Sequence, residues 1–236
     1  MSGWIRREGS FFTPSGNSIL STLEDYAYLA DALIDLYEAG ADGRYLLAAQ
    51  DLTERMRTDF RDPEGAGFFQ TAHDHEALIA RAKDAQEGAL PNANAVAAQV
   101  CARLSFHLDR DDLRQLAEQT VSSFGQWVTR APRAFASMLL VVDFLAHDPV
   151  EVVIVGPSSE AQALFSETAR VFLPSRVLVH GPSDACSTAD SLRFPLLQGK
   201  ALLSGKAAAY VCRDLACSPP VGEPAQLRAL LSPASG

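Results

Sequence analysis

Residues 23–40, LEDYAYLADALIDLYEAG, decide the fold class because their apolar side chains recur with the period of an α-helix. The repeating positions are Leu23, Tyr26, Ala27, Ala30, Leu33, Ile34 and Tyr37. Ser21 and Glu24 have the spacing of a capping box, which predicts the helix N-terminus at this point. Gly40 is the predicted C-terminal stop, since glycine adopts the left-handed conformation that ends many helices.

A second helix is predicted from Asp42, its N-cap, to Phe60. Because the link between the two helices is only about three residues long, they are expected to be antiparallel neighbours. Further helices are predicted over 92–107 and 111–128, and a fifth begins at Pro132, a residue favoured in a first turn. Residues 1–148 are therefore predicted to form a domain of helical hairpins joined by long loops.

The pattern changes after residue 148, where EVVIVG (151–156) is a continuous apolar run typical of a buried strand. A helix from Ser158 to about residue 172 and a second strand, RVLVHG (176–181), complete a β-α-β unit with expected parallel pairing. AAYVC (208–212) and a terminal helix at 224–231 follow. Residues 149–236 are predicted to be a small α/β module. Its first turn lacks the glycine-rich motifs that hold phosphates, so no nucleotide cofactor is expected.

Composition and charge limit the kinds of binding partner and the cellular compartment that we expect for this protein. A net charge of −9 without a basic stripe argues against nucleic-acid binding. No apolar run reaches the roughly 20 residues that cross a bilayer, and the N-terminus has no signal-peptide pattern. The four cysteines are too few and too scattered for a secreted disulfide framework. We expect a cytoplasmic protein with reduced thiols, no membrane partner and no cofactor.

Three stretches in this order resemble one known family: residues 23–40, GFFQT (67–71) with RAKDAQEGALPNANAVAA (81–98), and AAYVCRDLACSPPVGEPAQLRALL (208–231). They resemble the C-terminal part of the thioredoxin-domain-containing, spermatogenesis-associated protein 20 family. That resemblance implies part of an (α/α)6 toroid, a ring of twelve helices similar to N-acylglucosamine 2-epimerases and six-hairpin glycosidases.

Two departures from the family limit what the resemblance implies. The sequence has no thioredoxin-like domain and no CxxC motif, so redox activity is not carried over from the family name. It also contains about five toroid helices, and hairpins taken from a ring expose apolar flanks that favour association. We therefore expect a homodimer, or a partner that supplies the rest of the ring.

The segment 61–94 is too long and too polar for a simple connector, and it is where we predict a binding site. Similar toroids bind sugars at the mouth of the ring. Two cations and two amides would bind hydroxyl or carboxylate groups, with Asp84 beside them and an aromatic ring as a stacking face. The predicted binding residues are Arg81, Lys83, Asp84, Asn92, Asn94 and either Phe68 or Tyr26. Alternatively, Arg81 and Lys83 pair with Asp74, Glu76 or Glu87 to hold the loop, and Asn92 caps the next helix.

Candidate catalytic groups follow from the same resemblance. Epimerases of similar toroids use histidines for proton transfer, and the resembling families have an acidic residue at a comparable helix start. The resemblance therefore points to Asp25 or His75 as the base and to Lys83, with Arg81, as stabilisers of negative charge. The stretch His73-Asp74-His75-Glu76 is a weak metal motif, so no metal is predicted. The leading prediction is carbohydrate binding or epimerase-like isomerisation, with glycosidase-like chemistry in the same class. The alternative is a non-catalytic interaction or assembly domain.

Overall fold

The structure, a computed structural model, describes residues 10–12, 18–40, 42–74, 80–181, 193–213 and 216–232. His75 and Glu76 lie outside these described residues. A short antiparallel hairpin, β1 (Ser10–Phe12) and β2 (Ser18–Leu20), precedes the helices and was not predicted. The helical part consists of α1 (Leu23–Glu38), α2 (Arg44–Asp59), α3 (Ala93–Leu108), α4 (Asp111–Arg130) and α5 (Ala136–Ala146).

The ends of α1 follow from its flanking residues. Its cap is formed by Thr22 and Asp25, one residue later than the predicted pair: Asp25 Oδ2 accepts the Thr22 backbone N–H at 2.8 Å and the Thr22 hydroxyl at 3.1 Å. The shift occurs because the first helical residue is Leu23, so Asp25 occupies the third position of the helix. At the other end Gly40 has φ +89° and its N–H donates to the Tyr37 carbonyl at 3.0 Å, which confirms the predicted stop.

Aromatic contacts show how the first hairpin is closed. Tyr26, in the first turn of α1, packs against Phe60, the residue after α2, with ring centroids 5.3 Å apart. The start of α1 therefore lies beside the end of α2, as antiparallel neighbours require. The fifth helix begins later than predicted, because Pro132–Ala134 form a 3-10 turn and α5 starts at Ala136. Its first turn is capped by Glu87, whose Oε1 accepts the Ser137 N–H at 2.9 Å.

The C-terminal part is a four-stranded sheet of order β4-β3-β5-β6. β3 (Val150–Val155) and β4 (Arg176–Gly181) are joined by α6 (Ser158–Arg170) and pair in parallel, as predicted. β5 (Ala208–Arg213) pairs antiparallel with β3, and α7 (Pro224–Leu231) ends the described chain. Alternate strand residues form one apolar core with α6 and α7: Val152, Ile154, Leu178, Ala209, Val211, Ala161, Leu164, Leu227 and Leu231.

The edge strand β6 (Ala216–Cys217) was not predicted, and it corrects the expectation about the thiols. Cys217 lies directly opposite Cys212 on β5, and the two are joined by a disulfide. Reduced thiols are therefore the wrong description of this pair. Cys101 is a buried thiol, and burial raises its pKa to about 12, so it is protonated at neutral pH.

The described chain divides into two compact units. One contains the described residues up to Asp35 together with Gly43–Ala102 and Asp112–Val142, and the other contains Leu36–Asp42, Arg103–Asp111 and the described residues from Asp143 onward. The fold is mainly α with a small C-terminal α/β module, which confirms the predicted class. Within the described ranges no helix combines the length and the apolar character needed to span a bilayer. Closure into a toroid stays a prediction.

Candidate functional site

Asn94, at the start of α3, is the centre of the polar network that holds segment 61–94. Its side chain is fully buried. Asn94 Oδ1 accepts the Phe68 N–H at 2.8 Å, and its Nδ2 donates to the Phe68 carbonyl at 3.0 Å and to the Asp84 carbonyl at 2.8 Å. One side-chain amide thus provides hydrogen-bond partners for three backbone groups, two of Phe68 and one of Asp84. This geometry needs Gly67, which has φ +84° and whose added Cβ would lie 3.1 Å from Asn94 Oδ1.

The Asn92 and Asp84 side chains each accept a hydrogen bond from a backbone N–H two residues later. Asn92 Oδ1 accepts the Asn94 N–H at 2.8 Å, so Asn92 is the N-cap of α3, as one of the two alternatives held. Its Nδ2 also donates to the Gln86 carbonyl at 3.2 Å. Asp84 Oδ1 accepts the Gln86 N–H at 2.9 Å, which is an Asx turn just before the GALPN stretch at 88–92.

Lys83 is paired with Asp62, whereas Asp74, Glu76 and Glu87 are the carboxylates expected from the sequence. Lys83 Nζ lies 2.6 Å from Asp62 Oδ2 and donates to the Ala66 carbonyl at 2.9 Å. Asp62 Oδ1 also accepts the backbone N–H groups of Glu64 and Gly65, each at 3.0 Å. The hydrogen bond from Lys83, together with these N–H groups, lowers the pKa of Asp62 even though desolvation opposes the change.

Arg81 binds main-chain carbonyls and an aromatic ring. Its Nε donates to the Thr71 carbonyl at 3.1 Å and its guanidinium also donates to the Asp59 carbonyl at 3.3 Å. The guanidinium carbon stands 4.2 Å from the centroid of Phe69, and Lys83 Nζ is 5.7 Å from the same ring. Phe69 is therefore the half-buried aromatic beside the two cations, in place of the predicted Phe68 or Tyr26.

The other predicted residues lie elsewhere in this unit. Phe68 is fully buried and Tyr26 is 6% exposed, so both rings belong to the core. Asp25 caps α1 on the surface. His73 is exposed, 3.9 Å from Asp59, while His75 lies outside the described residues. The structure thus brings Arg81, Lys83, Asp84, Asn92 and Asn94 together, and each of these five has protein hydrogen-bond partners.

A second polar cluster, in the other unit, was missed. Glu38 is 6% exposed; its Oε1 accepts a hydrogen bond from His107 Nε2 at 2.9 Å and lies 3.3 Å from Arg103. Burial alone would raise the pKa of Glu38, but the hydrogen bond from His107 and the charge of Arg103 outweigh burial and lower it. The carboxylate is therefore ionised at neutral pH and accepts, so Nε2 carries the hydrogen. Arg103 and His107 lie one turn apart near the end of α3, but Glu38 ends α1, 69 residues before His107, so sequence spacing gives no signal that links it to them.

Comparisons with known proteins agree with the resemblance drawn from the sequence. No protein-family model matches the chain. The chain is similar to spermatogenesis-associated protein 20 of Homo sapiens, with 33% identity over 89% of this chain and 27% of that protein. The Mus musculus protein of the same name is 31% identical over the same shares. An uncharacterised protein of Caenorhabditis elegans is 29% identical over 84% of this chain and 27% of its own length. The chain thus spans about a quarter of the length of these relatives.

Proposed function

Because the chain is homologous to a segment of spermatogenesis-associated protein 20, we propose that it is a non-catalytic assembly module that associates through the outer face of α5. The observation that carries this proposal is the sequence of that helix, ASMLLVVDFLA, which is apolar on nearly all sides. A helix with apolar residues all round is normally buried all round. Here only the side that carries Met138 and Val141 is fully buried.

The outer face of α5 consists of Ala136, Leu139, Leu140 and Val142. Leu140 is 65% exposed, and Leu139 and Val142 are each 38% exposed. Exposed leucines are common singly, but neighbouring ones on one helix face mark an interaction surface. Asp143, one turn on from Leu139 and Leu140 on the same side of α5, is exposed and lies 3.1 Å from His147 Nδ1, so a contact over this face has to keep that carboxylate paired.

The occupant we propose is the same face of a second copy. α1 with α2 and α3 with α4 form successive pairs, whereas α5 is followed by the strand β3 and so lacks a consecutive helical partner. An isologous contact supplies that partner, because the same apolar patch meets itself across a two-fold axis. The alternative outcome of the test is a monomer. The face would then be one that other helices of a longer chain, such as that of the relatives, would cover.

Leu140→Glu is expected to weaken the dimer at least about 100-fold, since each copy loses roughly 1.5 kcal/mol or more of apolar burial and each tenfold step is 1.4 kcal/mol. Sedimentation equilibrium measures the dissociation constant. The matched control is Leu90→Glu, because Leu90 is 63% exposed against 65% for Leu140 but lies on the loop before α3. Equal effects of the two substitutions would contradict the proposed face.

Carbohydrate binding at segment 61–94 is the second candidate, and the two cations beside Phe69 favour it. Lys83 is 26% exposed and holds a carboxylate, Asp62, at 2.6 Å. A uronate or sugar phosphate would take the place of that carboxylate. Of the catalytic groups expected for an epimerase, the charge-stabilising Lys83 belongs to this cluster, whereas the candidate base Asp25 caps α1 and the candidate base His75 is outside the described residues. These contacts support binding more than isomerisation.

A thermal-shift screen tests the second candidate. An anionic sugar at about 100 times its dissociation constant should raise Tm by roughly 5–10 °C, and neutral sugars should raise it less. Lys83→Met should abolish the shift, while Lys206→Met, which removes the same charge from an exposed lysine, should preserve it. A shift that survives Lys83→Met would place the ligand elsewhere.

A further inference from the structure

The β5–β6 hairpin carries a disulfide at the edge of the sheet. β6 is the last strand in the order β4-β3-β5-β6, so one of its sides has no neighbour among the described strands. Cys212 on β5 is 3% exposed, whereas Cys217 on β6 is exposed. The two sulfurs therefore differ in access: a reagent in solution reaches the Cys217 side of the bond.

A lysine stands beside both sulfurs. Lys200 Nζ lies 3.3 Å from Cys217 Sγ and 4.0 Å from Cys212 Sγ. The ammonium group is also 5.1 Å from the centroid of the Tyr210 ring. The Tyr210 hydroxyl donates to the Ala201 carbonyl at 2.9 Å and accepts the Ala201 N–H at 3.1 Å, which holds the main chain next to Lys200 in place.

An acid, Glu151, shares this region of the sheet. Glu151 on β3 is the direct partner of Cys212 across the ladder, and directly opposed residues project from the same face. Burial raises the pKa of Glu151, and the charge of Lys200 opposes that rise. The ammonium group of Lys200 beside the sulfurs therefore also favours the ionised form of Glu151.

We propose that Cys212 and Cys217 form a thiol–disulfide exchange site that is reduced by a dithiol donor, with Lys200 as the group that stabilises the thiolates. A nearby cation favours the thiolate form of cysteine, and a stabilised thiolate is both the better leaving group and the more abundant nucleophile. The loop that the disulfide closes spans a sequence separation of only 5. Such a short loop gains less stability from a cross-link than a long one, which weakens a purely structural explanation of the bond.

The exchange proceeds in two steps that balance electrons and protons. A thiolate of the donor attacks Cys217 Sγ, a donor–Cys217 disulfide forms, and the electron pair of the broken bond leaves on Cys212 Sγ beside Lys200. The second thiolate of the donor then attacks the donor sulfur of this mixed disulfide and releases Cys217 as a thiolate. The protein pair gains two electrons and takes up two protons, and the donor dithiol is oxidised to its disulfide.

The rate at which dithiothreitol reduces the disulfide in the native full chain tests this proposal. Aliquots are quenched with iodoacetamide, and alkylation of the peptides carrying Cys212 and Cys217 is followed by mass spectrometry. Lys200→Met is expected to slow the reduction about 5–10-fold, through loss of thiolate stabilisation. Lys206→Met, which also removes one positive charge, should leave the rate unchanged, and Lys200→Arg should restore most of it.

A second measurement identifies the sulfur that is attacked. Incubation with glutathione in place of dithiothreitol should place glutathione on Cys217, because Cys212 is buried. Reduction that occurs only after unfolding, an unchanged rate in Lys200→Met, or glutathione attached to Cys212 would each overturn the proposal. The circular dichroism spectrum of every variant shows that the comparison is made on folded protein.

Discussion

Replacing Glu38 with alanine is expected to lower the free energy of unfolding by about 3–5 kcal/mol, the range for breaking a buried ion pair by removing one partner. Arg103 is 9% exposed and His107 is 1% exposed, so neither reaches enough water to replace the lost carboxylate. Within the described part of the chain, His107 Nδ1 and the Tyr37 hydroxyl are already buried without a hydrogen-bond partner, so neither can offset the loss. Without the carboxylate, the buried His107 Nε2–H also loses its acceptor and adds to these two unsatisfied polar atoms.

Urea titration followed by circular dichroism measures this loss. Glu118→Ala is the matched control, since Glu118 also pairs with an arginine, Arg114, at 3.2 Å but lies on the surface of α4 with half of its side chain exposed. Surface pairs of this kind contribute at most about 1 kcal/mol. Equal losses in the two variants would show that burial does not govern the cost at Glu38.

The same cluster predicts a dependence on pH. The folded-state pKa of Glu38 is lowered, so the group binds a proton more readily in the unfolded chain than in the native one. Its contribution is therefore fully present above the unfolded pKa, about 4.3. It is lost as the pH falls through the lower folded value. The difference in unfolding free energy between wild type and Glu38→Gln should shrink over that acidic interval and stay constant near neutrality.

Replacing Asn94 with alanine is expected to cost about 2–4 kcal/mol, because it leaves the buried N–H and carbonyl of Phe68 and the carbonyl of Asp84 without their side-chain partner. Asn92→Ala, two residues away on the same helix end, removes a cap and should cost about 1 kcal/mol. Both losses are measured by urea titration.

Hydrogen exchange locates the effect of Asn94→Ala. The Phe68 amide donates to Asn94 Oδ1 at 2.8 Å, so its exchange should accelerate in Asn94→Ala and remain slow in Asn92→Ala. Equal exchange of the Phe68 amide in the two variants would contradict the role assigned to the buried amide.

The regular elements of this chain could be predicted because local sequence determines them. Apolar periodicity placed α1 and α2, the β-branched run placed β3, and the helix predicted at 224–231 coincides with α7 (Pro224–Leu231). The hairpin β1–β2 and the edge strand β6 were missed, since strands of two or three residues are too short to show a period.

The partners within the candidate sites could not be predicted, because they depend on contacts between distant segments. The carboxylate for Lys83 was sought at Asp74, Glu76 or Glu87, whereas the structure supplies Asp62, 21 residues away. Glu38 and His107 are 69 residues apart. For Asn92 the sequence left a binding role and a helix cap as alternatives, and the cap could be foreseen because its hydrogen bond is local, to the second residue after it.

Sedimentation equilibrium of the unmodified chain over about 1–100 μM is the most direct test of assembly through α5, because micromolar dissociation constants fall in that interval. The proposal predicts an average mass that rises with concentration from the 25.4 kDa of one chain towards twice that value. A constant 25.4 kDa across the whole series would contradict it. The exposed face of α5 would then have no partner in a second copy.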